Sequence, residues 1–321
     1  MRTFVIGRND AGQRADKFLL KACPNLPKSL LYKTFRKRDI KCSGKRIPAE
    51  TFLREGDILQ VYLPDDCFGV QQKPAAVQQL PMPEIAYEDE NIVLLKKPVN
   101  LPVHADDKGS ADTLHGRFLA YLTQSGCYLP AKEQSFTPAL CNRLDRNTEG
   151  FVIGAKNAAA LRCMNGKIRS GEITKQYLCI TAGVPEKHAD TVIAYHRRLP
   201  GQKAEIRRQA AEGFSEIRTG YEVLAAHDGL ALLLVTLYTG RTHQIRAQTA
   251  ALGCPVLGDA KYGSPAANKR FGAPHQLLAA CRLRFDFSAE PCPLDALRGR
   301  EFRYVPDFCA DFGFSDVQKS T

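Results

Sequence analysis

Long apolar runs are missing from this 321-residue chain. A membrane-spanning helix needs about 18 or more consecutive apolar residues, so we do not expect a membrane protein. The first residues, MRTFVIGRNDAGQRADKF, are charged throughout and lack the apolar core and the small-residue cleavage site of a secretory signal. We therefore expect the protein to stay in the cytoplasm.

Motifs for nucleotides, metals and disulfides are missing as well. The sequence has no P-loop and no G-x-G-x-x-G fingerprint. Its eleven cysteines are scattered from Cys23 to Cys309 without a C-x-x-C pair, and no two histidines stand four residues apart as in a zinc motif. An odd number of scattered thiols indicates reduced cysteines rather than a disulfide framework. We expect no metal and no cofactor.

The composition, with 44% hydrophobic and 25% charged residues, is that of an ordinary globular protein. The length favours a large core domain plus one small accessory domain. Lysine and arginine outnumber aspartate and glutamate by 45 to 34, which gives a net charge of +11. Such a positive field favours a polyanionic partner such as nucleic acid, although a basic protein need not have one.

The first 64 residues form a pattern of their own. GQRADKFLLKA and LLYKTFRKRD predict two helices, whereas IKCSGKRI and LREGDILQVYLP predict extended segments. Eight basic residues and one acid lie between Lys28 and Arg46. If the apolar side of the second helix packs inward, its basic side is free to meet phosphates; the alternative is a solvated surface. The candidate RNA contacts are Lys28, Lys33, Arg36, Lys37, Lys41, Lys45 and Arg46.

Residues 65–82, DDCFGVQQKPAAVQQLPM, are rich in Pro, Gln and Ala and poor in periodic apolar residues. This composition predicts a flexible linker. The sequence therefore divides into a small domain at 1–64, the linker, and a large domain at 83–321. Strand-like and helical segments alternate in the large domain to about Phe287, and the remaining tail predicts a strand and a short helix that close it.

The segment CNRLDRNTEG places a carboxylate, Asp145, between Arg143 and Arg146 on a predicted loop ahead of the strand-like FVIGAKN. Nearby guanidinium groups stabilise an ionised carboxylate, which can then serve as a nucleophile or a base. The alternative is a structural salt bridge that ties the loop to a sheet, and for an isolated string of this kind it is the commoner case.

Two further segments carry candidate site residues. The apolar run LALLLVTLYTG predicts a strand that would hold the following turn, RTHQIR, rigidly. His243 in this turn titrates near neutrality in peptides, but it has no second ligand at metal spacing, so we interpret it as a residue that orients the turn by hydrogen bonding. In ITKQYLCITAG the alternation predicts a half-buried strand, on which Tyr177 would ordinarily be core packing.

Taken together, these segments resemble the RluA family of RNA pseudouridine synthases. N-R-L-D-R-N-T-E-G resembles the family's H-R-L-D-x-x-T-S-G, and T-G-R-T-H-Q-I-R with the later G-D-A-K-Y-G resembles its T-G-R-T-H-Q-I-R and G-D-x-x-Y-G. K-Q-Y resembles the family's K-x-Y. The segment YEDENIVLLKKPVNLPVH resembles the family's entry strand. The four segments span nearly all of residues 85–287 in the family's order. Over the first 64 residues, RADKFL, P-N-L-P-K-S and the later segments resemble an S4-like RNA-binding domain.

The resemblance implies an α+β fold with a large mixed, mostly antiparallel central sheet of the pseudouridine synthase type, preceded by a small S4-like α/β domain. It also implies the catalytic residues: Asp145 acts as the nucleophile, Arg246 forms its ion pair, and Tyr177 stacks on the target base and could accept a proton. The candidate substrate-binding residues are Arg143, Leu144, Arg146, Thr148, Arg241, His243, Gln244 and Ile245.

The implied reaction is the isomerisation of uridine to pseudouridine in structured RNA, most often large-subunit ribosomal RNA. Asp145 would act at the ribose, by direct attack or by helping to form a glycal, without a cofactor. We expect a monomer with no DNA partner. The sequence departs from the family pattern at four positions: Asn100 replaces the usual Gly, Asn142 and Gln248 the usual His, and Glu149 the usual Ser.

Three other interpretations remain. The chain could be a non-catalytic RNA-binding or ribosome-assembly protein on a synthase fold, although it keeps the R-L-D and Q-I-R segments that a degenerate enzyme would lose. It could be an RNA glycosidase that releases free uracil. A DNA-binding regulator is the third, but the first 64 residues lack a convincing recognition helix with base-reading residues at its start.

Overall fold

The computed structural model describes residues 1–68, 80–105, 112–199 and 201–315. Most of the predicted linker, residues 69–79, lies outside this part of the chain. Two sheets with separate apolar cores organise the described residues. None of the helices in these ranges combines the length and the apolar character that a bilayer crossing demands.

The first sheet belongs to a small unit. Its elements are β1 (Arg2–Val5), α1 (Ala15–Ala22), α2 (Lys28–Arg36), β2 (Ile40–Cys42), β3 (Lys45–Arg46) and β4 (Ile58–Val61). The four strands are antiparallel in the order β1-β4-β2-β3. Phe18 and Leu31 from the two helices are buried against Phe4 and Leu59 of the sheet. Phe68, within the predicted linker, is buried in the same core.

Both helices of the small unit are shorter than predicted, because left-handed residues limit them. Gly12 has a φ of 73°, and α1 begins only at Ala15. Arg38 has a φ of 62°, and α2 ends at Arg36. A left-handed residue cannot continue a right-handed helix.

The predicted RNA contacts of the small unit lie on its surface. Helix α2 buries Leu31 and Phe35, one turn apart, and leaves its basic residues exposed. Lys41 is half-buried, and its ammonium lies 5.7 Å from the centre of the Tyr62 ring. The remaining six are exposed: Lys28, Lys33, Arg36, Lys37, Lys45 and Arg46.

The second sheet and its helices form a large unit. The strands are β5 (Glu84–Glu88), β6 (Ile92–Lys97), β7 (Ala139–Leu140), β8 (Glu149–Ala155), β9 (Ile173–Ala182), β10 (Ala189–Arg197), β11 (Glu205–Arg207), β12 (Ser215–His227), β13 (Leu230–Leu237), β14 (Leu278–Phe285) and β15 (Glu301–Arg303). The helices are α3 (Leu114–Gln124), α4 (Ala158–Arg169), α5 (Gln244–Ala251), α6 (Pro265–Phe271) and α7 (Phe308–Asp311).

The large sheet has the order β11-β10-β12-β13-β9-β14-β8-β6-β5, with β15 on β14 and β7 on β8. Among the described strands every pairing is antiparallel except that of β8 with β14, where Glu149 and Gly150 face Ala279 and Ala280. Gly150 has a φ of 115°, and a Cβ there would lie 2.3 Å from the Ala280 carbonyl oxygen. Only glycine fits this approach. The predicted α+β fold with a mixed, mostly antiparallel sheet is confirmed.

Apolar side chains cover both faces of the large sheet. On one face Phe118 and Leu122 of α3 pack with Val152 and Leu233. Leu144, Tyr177 and Ile245, from the three segments that predicted the site, belong to the same cluster. The core therefore fixes the site segments relative to one another. The tail forms β15 and α7, as predicted, and Phe308 of α7 packs on the other face.

A polar contact joins the small unit to the large one. Asp10 is buried, with 3% of its surface exposed. Its carboxylate accepts hydrogen bonds from Ser135 Oγ at 2.5 Å and Gln134 Nε2 at 3.1 Å. Asn9 donates to Glu133 Oε1 at 2.8 Å and accepts from the backbone N–H of Ala158 at 3.1 Å. This contact fixes the small unit against the loop ahead of β7 and the start of α4.

Replacing Asp10 by Ala should lower the free energy of unfolding by about 1–3 kcal/mol, because the half-buried Ser135 hydroxyl and Gln134 amide lose the hydrogen bonds that they donate to its carboxylate. Urea unfolding followed by circular dichroism measures the change. Asp66→Ala removes an exposed carboxylate and should change the free energy of unfolding by less than about 0.5 kcal/mol. Equal shifts for the two variants would show that the Asp10 contact contributes nothing.

Candidate active site

A cavity of about 600 Å³ opens on the face of the large sheet that carries Tyr177. Apolar side chains form part of its wall: Leu144, Leu237, Ile245 and Leu278. The cations that line it are Arg143, Arg169, Lys175, Arg241 and Arg246, whereas Asp145 is the one carboxylate among the described lining residues. The excess of positive charge suits a polyanion.

Asp145 lies on the loop between β7 and β8, with 20% of its side chain exposed. Three hydrogen bonds shape this loop. The backbone N–H of Thr148 donates to the Asp145 carbonyl at 3.1 Å. Asn142 bridges to β8, accepting from the Ile153 N–H at 2.8 Å and donating to the Phe151 carbonyl at 3.2 Å. The side-chain amide of Asn142 thus bonds to the backbone of β8 as a neighbouring strand would, and it holds the start of the loop on the sheet.

Arg246, on the first turn of α5, connects two carboxylates. Its Nη1 donates to Asp145 Oδ2 at 2.6 Å, while Nε and Nη2 donate to the two oxygens of Asp259 at 2.7 and 2.8 Å. Burial alone would raise the pKa of Asp259, but Arg246 and the N–H groups of Lys261 and Tyr262 hold that pKa below its usual value. The doubly paired guanidinium keeps its charge and fixes where Asp145 points.

His243 lies beside this pair with left-handed backbone, at a φ of 59°. Its Nδ1 is 2.9 Å from the Tyr262 hydroxyl, and its Nε2 is 3.8 Å from Asp145 Oδ2. Burial, aided by Arg246, Arg198 and Lys261, lowers the pKa of His243 to about 4 even though Asp145 opposes the shift. The ring is therefore neutral at pH 7 and serves as a hydrogen-bonding group, in line with its predicted role in the turn.

Lys97 lies directly behind the Asp145 loop and is fully buried. Its Nζ donates to the carbonyl oxygens of Pro98, Leu101 and Arg146 at 2.7–2.8 Å. Burial lowers the pKa of Lys97 to about 7, whereas Asp145 and Glu149 favour the charged form. Three acceptors match the three N–H bonds of an ammonium, so this side chain ties the loop to the end of β6.

Tyr177 lies on β9 with 8% of its surface exposed. Burial and then the neighbouring charge of Asp145 raise the pKa of its phenol well above the usual value. A phenolate is disfavoured here, so the ring offers an apolar surface rather than a base. The predicted proton-acceptor role therefore has no support in the electrostatics, whereas the stacking role is compatible with them.

Two of the predicted substrate contacts that line the cavity, Gln244 and Thr148, also make hydrogen bonds within the protein. Gln244 accepts from the Arg241 N–H and the Thr239 hydroxyl, and its amide N–H donates to Thr219. Thr148 is buried, and its hydroxyl accepts from Gln276 at 2.6 Å. The remaining predictions stand at the openings: Leu144 and Ile245 in the apolar wall, Arg143 and Arg241 exposed on the rim, and Arg146 at a second opening beside it.

The residues that depart from the family pattern each have a distinct conformation or set of contacts in the structure. Asn100 adopts a φ of 59°, a left-handed conformation that Asn tolerates better than most residues. Gln248 accepts from the Thr219 hydroxyl at 2.6 Å and donates to the Val192 carbonyl, which joins α5 to β10 and β12. Glu149 is half-buried beside Lys96 and Lys97, and burial raises its pKa. It does not line the two described openings around Asp145.

Reasoning from sequence assigned no role to Lys97, Asp259 or Tyr262. The last two stand in the G-D-A-K-Y-G segment that carried part of the resemblance, so a signal was present. The sequence gave little indication of the role of Lys97, because a lysine at the end of a strand is usually exposed. The described residues contain no group of three or more His, Cys, Asp or Glu side chains that could hold a metal ion.

Lys97→Met should cost about 2–4 kcal/mol of unfolding free energy, because three backbone carbonyls lose the donor that holds them around a fully buried side chain, while the side-chain volume is kept. Chemical denaturation at pH 7 measures the loss. Lys132→Met, at an exposed position, is the control and should change stability by less than about 0.5 kcal/mol. A neutral Lys97→Met variant would mean that the ammonium does not hold the loop.

Titration of His243 should make folding weaker as the pH falls. Its pKa is 6.5 in the unfolded chain and about 4 in the folded one, so between these values the unfolded state binds a proton that the folded state does not. Stability is full above pH 6.5 and declines towards pH 4, by at most about 1.4 kcal/mol per pH unit. In His243→Gln this slope should be shallower, and in the exposed control His188→Gln unchanged, when unfolding is measured from pH 7 to 4. Identical slopes in all three proteins would show that His243 does not contribute to the pH dependence of stability.

Comparisons with known proteins agree with this geometry. A family model described as RNA pseudouridylate synthase matches residues 91–251. Ribosomal large subunit pseudouridine synthase C of Salmonella typhi is 31% identical over 269 residues, which cover 82% of this chain and 80% of the relative. The Haemophilus ducreyi protein of the same name is 29% identical and covers 88% and 87%.

Among solved structures, human RNA pseudouridylate synthase domain containing 4 superposes with a TM-score of 0.55 at 23% identity, covering 71% of this chain and 90% of that one. That likeness supports the fold alone. With the family model across half of the chain and the Salmonella typhi relative across most of it, the resemblance to the RluA family is confirmed. The chain belongs to the RluA family of RNA pseudouridine synthases, isomerases that convert uridine to pseudouridine in RNA.

Proposed function

We propose that this enzyme modifies uridines of large-subunit ribosomal RNA, with Asp145 as the nucleophile, Arg246 as its ion-pair partner and Tyr177 as the stacking residue. The observation that carries the residue roles is the 2.6 Å contact between Arg246 Nη1 and Asp145 Oδ2, in a cavity that Tyr177 also lines. The names of the bacterial relatives supply the ribosomal substrate.

The reaction begins when the target uridine leaves its helix, because a stacked base cannot reach a carboxylate in a cavity. Tyr177 and the apolar wall then hold the uracil. Asp145 acts at the ribose, the N1–C1′ bond breaks, the uracil turns, and a C5–C1′ bond forms. The hydrogen on C5 is lost and N1 gains one, so the composition of the RNA is unchanged and no cofactor is consumed.

Arg246 serves this chemistry by position and charge. Since Asp259 anchors one side of the guanidinium, its remaining N–H group presents Asp145 to the ribose in a fixed direction. His243 is neutral, and its Nε2 lies 3.8 Å from the same Oδ2 that Arg246 Nη1 contacts at 2.6 Å, so Arg246 is the cation in direct contact with Asp145. A carboxylate that keeps its charge is the form required for attack.

We further propose that residues 1–64 are an S4-like RNA-binding domain, that 65–82 link it to the catalytic domain at 83–321, and that the protein works as a cytoplasmic monomer without a DNA partner. The exposed basic residues of α2 and of the β2–β3 hairpin support RNA binding. The contact through Asp10 would hold them in a fixed place relative to the cavity.

Asp145→Asn should abolish pseudouridine formation without unfolding the protein, because the amide keeps the shape of the carboxylate but is not a nucleophile. The measurement is carbodiimide-dependent mapping of pseudouridine in ribosomal and transfer RNA from cells that lack the protein, complemented with wild type or variant. Asp66→Asn, at an exposed position of the predicted linker, should restore every site that wild type restores.

The outcomes separate the alternatives. Sites in large-subunit ribosomal RNA that return with wild type and stay absent with Asp145→Asn support the proposal. Return of the same sites with Asp145→Asn would remove Asp145 from the mechanism. Sites confined to transfer RNA would overturn the ribosomal substrate, and free uracil released by the purified enzyme would indicate a glycosidase.

A further inference from the structure

Lys175 occupies an unusual position in the cavity. It lies on β9, between Leu237 of β13 and Leu283 of β14 in the strand register, and it lines the cavity beside Ile168. The residue is only half-exposed. No acceptor or carboxylate for its ammonium occurs among the residues that the structure describes.

Other half-buried lysines of the large unit are satisfied. Lys156 meets Glu88 Oε1 at 2.7 Å, and Lys167 meets Glu172 Oε2 at 2.6 Å. Burial of an ammonium costs free energy unless an anion or several acceptors compensate. Lys175 bears that cost in the free protein, which is typical of a group whose partner arrives with the ligand.

The charge of Asp145 does not compensate Lys175. Burial is the one cause that lowers the pKa of Lys175, whereas Asp145 contributes to the pKa of Lys97, Tyr177 and His243. Asp145 is paired with Arg246 instead. Arg169, at the end of α4, lines this same cavity and is exposed.

The spacing of residues along β9 indicates which part of the RNA binds beside Lys175. Side chains two residues apart on a strand point to the same face, about 7 Å from one another, so Lys175 and Tyr177 face the cavity together. If the uracil rests on Tyr177, the next anionic group of the same RNA strand is a backbone phosphate. We infer that Lys175, supported by Arg169, binds the phosphate adjacent to the target uridine and so sets the position of the nucleotide over Tyr177. This inference rests on the proposed role of Tyr177.

Lys175→Met tests the inference, because it removes the charge and keeps the length of the side chain. The probe is a synthetic RNA hairpin that contains a uridine found by the mapping, made with normal phosphates or with one neutral methylphosphonate linkage next to that uridine. We expect Lys175→Met to raise KM about tenfold and to leave the single-turnover rate at saturating RNA within about twofold. The slope of log KM against log salt should shrink by about 0.7–0.9, the value for one lost phosphate contact.

Three comparisons complete the test. Lys175→Arg should recover most of the affinity. Lys187→Met removes the same charge from an exposed lysine that Asp190 already pairs, and it should leave KM and the salt slope unchanged. The methylphosphonate at one of the two adjacent linkages should weaken binding by wild type about tenfold and have no further effect on Lys175→Met.

A Lys175→Met enzyme with normal KM and salt slope, or one that loses only its single-turnover rate, would overturn the inference while wild-type activity on the hairpin upholds the proposed function. Equal sensitivity of wild type and Lys175→Met to both methylphosphonates would also overturn it. A wild-type enzyme that forms no pseudouridine in any ribosomal RNA contradicts the proposed function itself. Thermal unfolding of each variant identifies a loss of KM that comes from misfolding.

Discussion

The guanidinium of Arg246, held between the carboxylates of Asp145 and Asp259, is the interaction on which the site depends. It joins the loop before β8, the first turn of α5 and the G-D-A-K-Y-G loop, which are far apart in sequence. A buried arginine with one carboxylate would leave at least one of its nitrogens without an acceptor here; with two, each of its three nitrogens donates a hydrogen bond. Asp259 in turn accepts from backbone N–H groups of its own loop, so the direction of Asp145 is set by several segments at once.

Near this ion pair, two other titratable side chains are either neutral or bonded to the backbone. Burial makes His243 neutral at pH 7, and the ammonium of Lys97 donates its hydrogen bonds to backbone carbonyls. What remains on the cavity wall is one carboxylate among exposed or half-exposed cations, with an apolar wall behind them. A neutral base needs the apolar part and a polyanionic backbone needs the cationic rim, so both parts of a nucleotide have matching surfaces.

The sequence predicted the fold class, and the resemblance paired Asp145 with Arg246 across 101 positions before any distance was known. Motif order carries that information because family members share one fold. It could not reveal Lys97, whose burial depends on three carbonyls that only the folded loop brings together. Nor could it show that Gln244 bonds within its turn, or that Asp10 is buried against residues 133–135, because such contacts depend on side-chain direction across segments.

The parallel pairing of β8 with β14 has a consequence for the time at which the enzyme becomes competent. Glu149 and Gly150 follow the Asp145 loop directly, and their partners Ala279 and Ala280 come about 130 residues later in the chain. Proteins are synthesised from the amino terminus, and contacts of such long range close late in folding. A nascent chain halted before β14 would hold both Asp145 and Arg246 and still have an open sheet edge beside its loop. The sheet beside the Asp145 loop is thus complete only after β14 has been synthesised.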